Sequence, residues 1–297
     1  MICERNFRFF GQQPLAGLKR RLLPFLCLGI SGVISLAAAE TVDDLLTQAQ
    51  TAQRKDSLAD ALILATKAAN LEPTNAQCYY VRGRLYAEDR QSAKAVADFD
   101  KALTLEPRAA EIYQLRGIEQ FKLSHFKESC ADFDKFLGFA PQRAAQHWQR
   151  GIACYYAGRY EDGRKQFELH QTVNPNDVEN AAWHFLCVAR SAGLASARAS
   201  LLPVSGDSRV PMTQIYALFA GKAKADDVLT AAKGGYASPA QINRQLFYAH
   251  LYVGLYYEAS GNEKLAAKHI HQAAEQYKVD DYMGEVARVH AGLLKGK

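Results

Sequence analysis

The chain has 297 residues, 48% of them hydrophobic, and a formal net charge of +5. That is enough apolar material for a sizeable core. The five basic residues Arg5, Arg8, Lys19, Arg20 and Arg21 stand against Glu4 alone in residues 1–39, and without that segment 31 basic residues face 30 acidic ones. A chain so balanced has no overall electrostatic footprint for nucleic acid, so no nucleic-acid partner is expected.

Lys19, Arg20 and Arg21 precede an uncharged run over 22–39, which ends in Ala37 and Ala39 before Glu40. Basic region, apolar core and an A-x-A site are the order of a secretory signal, so residues 1–39 read as a signal peptide and the protein as exported, in the periplasm. Two other readings stay open. One is an anchor formed by residues 22–39, with weak membrane association, although Pro24, Gly29 and Gly32 make a poor span. The other is a transit peptide into an organelle lumen. Cys27 lies between Leu26 and Leu28, where a lipoprotein signal wants a small residue before the cysteine. Cys78, Cys130, Cys154 and Cys187 show no C-x-x-C spacing, and nothing in their positions assigns a disulfide.

From residue 42 the chain repeats itself. Pro73, Pro107, Pro141 and Pro175 recur every 34 residues, and Arg82-Gly83, Arg116-Gly117 and Arg150-Gly151 recur in phase with them. The step defines four units, 42–75, 76–109, 110–143 and 144–177. In the second, Tyr79, Gly83 and Tyr86 share one face of a first helix, and Ala95, Phe99 and Ala102 mark a second. Glycine removes a side chain where the paired helix crosses, at about 1 kcal/mol of helix propensity. One such unit cannot bury its apolar face alone, so the units must stack.

Tyr79, Gly83, Tyr86, Ala95, Phe99, Ala102 and Pro107 together resemble the signature of the tetratricopeptide repeat. Departures are Gln120 in the third unit, Gly163 and His170 in the fourth, and Ala49 and Ala65 in the first. The resemblance implies an all-α fold, a right-handed superhelical solenoid of helix pairs. After 177 the ladder fades. Residues 178–246 read as a degenerate helical segment about two repeat lengths long, with helices near 180–191, 194–202, 212–220 and 225–232. The signature returns over 247–280 with Gly254, Tyr257, Ala266, Ile270 and Ala273. Asp280 or Asp281 then caps a last helix and tail over 281–297, expected to cover the end of the stack. This order is similar to the NlpI-type bacterial envelope proteins, most densely at 150–160, 174–189 and 252–270. That resemblance implies an adaptor bringing a processing protease together with cell-wall hydrolases, and leaves a homodimer open.

No catalytic motif is present: no H-E-x-x-H, no G-x-S-x-G, no phosphate-binding glycine loop and no dinucleotide fingerprint. His269 and His271 diverge on a helix, as do the carboxylates of Asp98/Asp100 and Asp132/Asp134. No enzyme activity, metal or cofactor is therefore expected. Arg82 and Arg116 read as structural partners of Asp98 and Asp132, because a guanidinium can hold a carboxylate through two hydrogen bonds. Binding is assigned to the concave groove, lined by the first helix of each unit. Positions facing inward in this family are Tyr80 and Arg84, then Gln114, Ile118 and Phe121, then Trp148, Ile152 and Tyr155. Such a strip suits protein or peptide ligands. The expected function is a binding scaffold; the alternative is an enzyme subunit or assembly factor using the irregular 178–236 segment.

Overall fold

The computed structural model describes residues 40–234 and 237–295, and these are helix and connecting turn throughout. The expectations for residues 1–39, including the fate of Cys27, lie outside the described residues. Four helix pairs come first: α1 (Val42–Arg54) with α2 (Leu58–Leu71), α3 (Ala76–Glu88) with α4 (Ser92–Leu105), α5 (Ala110–Lys122) with α6 (Phe126–Phe139), and α7 (Trp148–Tyr156) with α8 (Tyr160–Gln171). A long helix α9 (Val178–Ala199) follows, then α10 (Met212–Phe219), α11 (Ala225–Lys233), α12 (Pro239–Ala259), α13 (Glu263–His271) and α14 (Tyr282–Leu294). The array is an all-α solenoid with tetratricopeptide repeat geometry.

Local chemistry sets the helix starts. Thr41 and Asp44 form a reciprocal capping box on α1, Asn75 accepts from the Gln77 amide on α3, and Ser238 with Gln241 caps α12, where Pro239 occupies the first turn. Inside each pair the first helix ends in the same left-handed turn, at Asp56, Arg90, Ser124 and Gly158, 34 residues apart. The amide after each turn reaches back five residues, as in Gln91 to Tyr86 at 2.8 Å and His125 to Gln120 at 2.9 Å. The same bond closes α10 on α11 (Lys222 to Ala217, 2.8 Å) and α12 on α13 (Asn262 to Tyr257, 2.8 Å). The irregular segment therefore keeps the turn of the repeat where it has lost its signature. Gly193, with φ 83° and ψ 167°, kinks α9 between its long and short parts.

The recurring glycines sit where two helices touch. A β-carbon on Gly83 would lie 2.8 Å from Phe99, one on Gly117 2.8 Å from Phe133, and one on Gly151 2.5 Å from Phe167. Beside each contact runs the arginine ladder. Arg82 donates to both oxygens of Asp98 at 2.7 Å, and Arg116 donates to both of Asp132 at 2.8 and 2.6 Å. Arg116 also reaches back to Asp100 at 2.6 Å. On the next rung Gln166 replaces the aspartate, so Arg150 turns to Asp134 of the preceding unit at 2.6 Å. Arg159 joins it there at 2.8 Å, and although burial works against the charge, the two guanidinium groups hold Asp134 below the usual carboxylate range.

Two boundaries differ from the sequence reading. The fourth unit begins with a 3₁₀ segment (Pro141–Gln146), and its helix starts only at Trp148, because the His147 side chain packs on Phe133 and Phe136 at 4.8 and 5.3 Å and accepts from the Arg150 amide. The limit drawn at 246 falls inside α12, a single helix of 21 residues. A π turn (Gln272–Gln276) ends the last pair, and Asp281, one of the two caps expected, starts α14 by accepting from the Gly284 amide at 2.9 Å.

The apolar interior is unequal along the chain. Units one and two have small cores of their own, whereas one large core runs from Ile118 through the irregular segment to Ala291. Cys130 and Cys154 form a disulfide between α6 and α7, while Cys78 and Cys187 are buried thiols. Residues 203–211 are tied to α9 by Arg209, which donates to Asp177, Glu179 and Asp207 at 2.8, 2.6 and 2.6 Å; Tyr252 of α12 donates to Glu179 at 2.8 Å.

Candidate interaction groove and the helix that fills it

The first helices α1, α3, α5 and α7 supply the concave face, and its character changes halfway along. On α3, Tyr80 is half-buried and Arg84 exposed, with the guanidinium 5.7 Å from the ring centre of Tyr80. Among the described residues Arg84 has no carboxylate partner, in contrast to Arg82 and Arg116. Gln50, one step earlier on α1, is half-buried. This half of the face is polar and open.

The expected strip does not continue as an open surface. Gln114, Ile118, Phe121, Ile152 and Tyr155 are all buried, and Trp148 is half-buried. Over Phe121 and Trp148 the physical reason is α14, which packs on the last pair and also lies against α5 and α7. Its Tyr282 ring sits 5.5 Å from Phe121 and meets Trp148 edge-on at 5.2 Å. Gln114 is spent on a hydrogen bond with His147. Tyr155 turns toward Trp183 of α9, 5.4 Å away, and accepts from Arg190 at 3.2 Å. Of the eight residues assigned to a partner groove, only Tyr80 and Arg84 present free surface beyond the edge of Trp148.

Tyr156, Tyr282 and His290 complete the closed half and were not among the residues singled out. Tyr156 donates to His290 Nδ1 at 2.7 Å, which leaves the His290 Nε2 proton facing Glu258 at 3.3 Å. Glu258 in turn pairs with Arg190 at 3.0 Å. This row has the order of a proton relay, yet Tyr156 is partly buried against Phe121, Phe126, Trp183 and His290, and burial pushes its hydroxyl well above the usual phenol range. It ties α14 to α7 through the bond to His290. A signal for it was present: in Tyr282–Leu294 the apolar residues run round most of the helix, more than one covered end of a stack requires.

The near end of α14 is held by charge. Arg90, at the turn of the second unit, pairs with Asp280 at 2.7 Å and with Glu285 at 3.6 Å, and Arg244 pairs with Asp281 at 3.0 Å. A cleft of about 540 Å³ remains there, lined by Arg90, Lys94, Lys122, Leu123 and Glu285. Among the described residues no cluster of three or more histidine, cysteine or acidic side chains could hold a metal ion, and no helix is long and apolar enough to cross a membrane.

The fixed step and the recurring helix pairs define an all-α helical repeat array. No protein-family model and no curated protein matches the sequence. Among solved structures, the chain is similar to MamA from Desulfovibrio magneticus, at 20% identity and a TM-score of 0.49, over 54% of this chain and 91% of that one. It is also similar to a tetratricopeptide repeat protein from Parabacteroides merdae, at 19% identity and a TM-score of 0.49, over 87% of this chain and 86% of that one. A third is YrrB, described as a TPR protein with an unusual peptide-binding site, at 18% identity and a TM-score of 0.40, over 75% of this chain and 97% of that one.

Proposed function

We propose that this chain is a non-catalytic adaptor of the cell envelope, which holds a segment of a partner protein on the concave face of its first two units. The observation that carries this reading is the division of the groove: α14 fills the half over α5 and α7, while Tyr80 and Arg84 on α3 stay accessible. Tyrosine and arginine are residue types enriched at binding hot spots. The signal-like residues 1–39 and the Cys130–Cys154 disulfide support an oxidising, exported location. In line with the resemblance to NlpI-type proteins, the partners are a processing protease and cell-wall hydrolases.

A photo-crosslinking amino acid placed at Tyr80 tests the site in living cells, with the exposed Ala131 of α6 as control. Discrete adducts from position 80 that are absent from position 131 are expected. Equal labelling from both, or none from position 80, would remove this face from the account. Turnover of peptidoglycan or peptide by the purified chain alone would overturn the non-catalytic reading.

A further inference from the structure

His250 of α12 and His269 of α13 are buried with their Nδ1 atoms 2.8 Å apart. They form the centre of a column of four rings. Tyr257 lies 5.7 Å from His269, the two imidazoles are 5.0 Å apart, and Tyr277 lies 5.1 Å beyond His250 at an interplanar angle of 13°. One proton can be shared along this contact: one ring donates through Nδ1–H and the other accepts with its Nδ1 lone pair. The donating ring can take a further proton at Nε2 and keep the bond. A proton on the accepting Nδ1 sets two N–H groups face to face and abolishes it.

The surroundings decide when that happens. Lys233 of α11 and Lys268 of α13 face the pair and oppose its charging, Asp226 of α11 favours it, and the rings of Tyr257 and Tyr277 stack on its two ends. Burial holds His250 down to about 4, with His269 and the two lysines adding to the effect, and burial also lowers His269.

The column ends on the tether of α14. Tyr277 begins the linker between the last helix pair and α14, and its carbonyl accepts from Asn243 at 3.3 Å. Arg244, on the same helix as His250, holds Asp281 at the other end of the linker. We propose that the His250–His269 contact is an acid-sensitive latch on this linker, so that acid loosens α14 from the groove and uncovers Phe121 and Trp148 while the repeat units stay folded. The inference does not depend on which partner the open half binds.

Hydrogen exchange of the full chain, read by mass spectrometry at about pH 7 and about pH 4.5 and corrected for intrinsic rates, tests it. Expected is exchange in the α14 peptides that is faster by ~10-fold or more at the lower pH, with α1 to α6 still protected. His269→Gln, which keeps a hydrogen-bonding partner for His250 that cannot charge, should hold α14 protected at both pH values. The latch is overturned if α14 stays protected in the wild type, if all helices lose protection together, or if the variant opens at the same pH as the wild type. Should His269→Gln not fold, His250→Gln takes its place. Histidine ring-proton NMR of the wild type is the measurement that needs no variant. Either imidazole titrating like a free side chain, near pH ~6.5, refutes the proposal; both titrating well below it supports the latch.

Discussion

His147 shows how a single side chain can carry a structural cost that changes with acidity. It is buried between Phe133 and Phe136, bonded to Gln114, and holds the start of α7 through the Arg150 amide. Burial lowers it to about 4, so the folded protein keeps this imidazole neutral where an unfolded chain would protonate it. The unfolded state therefore binds the extra proton, and stability that is fully present above pH ~6.5 is lost as pH falls toward about 4. The loss from this residue reaches about 3 kcal/mol at the lower limit. Urea midpoints for wild type and His147→Gln at about pH 7 and about pH 4.5 should converge as pH falls, because only the wild type loses stability to this proton. Parallel curves would show that His147 is already charged or already accessible in the folded state.

Among the elements, α14 does most to decide which surfaces are available. Tyr282 fills the space between Phe121 and Trp148 and is 4% exposed, so truncating it leaves a cavity at the centre of the closed groove. Tyr282→Ala is expected to cost about 3–5 kcal/mol. It should also shift tryptophan emission to the red, since Trp148 loses its cover while Trp183 stays enclosed. A blue, unshifted spectrum in the folded variant would mean that α14 holds its seat without this ring. The helix pairs were legible in the sequence because each depends on contacts inside one repeat: Gly83 against Phe99, Arg82 on Asp98, and the left-handed turn at Arg90 all lie within one unit. The seat of α14 was not, since it joins Tyr282 to Phe121 and Arg90 to Asp280, and no period in the chain relates an unrepeated helix to the surface it covers. The groove residues were assigned from the repeat alone, which carries no information on the helix that lies over Phe121 and Trp148.

At the scale of the whole molecule, the chain has a regular, open half and an irregular, closed one, and the disulfide lies where they join. Cys130 and Cys154, with Cα atoms 5.7 Å apart, tie the third unit to the fourth across 24 residues. Closing a loop of that length contributes about 3 kcal/mol in the chain-entropy account. Peptide mapping without reduction should recover residues 130 and 154 in one cross-linked species, with Cys78 and Cys187 alkylated only after unfolding. Recovery of 130 and 154 as separate alkylated peptides would remove the bond from the account, and with it one support for an oxidising location.

The reach of Arg90 to Asp280, 190 residues further on, also bears on how the protein is made. An ordinary repeat array can fold behind the ribosome, unit after unit, because every unit needs only its neighbour. Here the third and fourth units emerge with Phe121 and Trp148 uncovered, and the Tyr282 ring that shields them follows only after the irregular segment and the last helix pair. Until α14 has emerged, the nascent chain carries an apolar trough that it cannot yet close, which marks it for holding by a chaperone and makes a stop before that helix aggregation-prone.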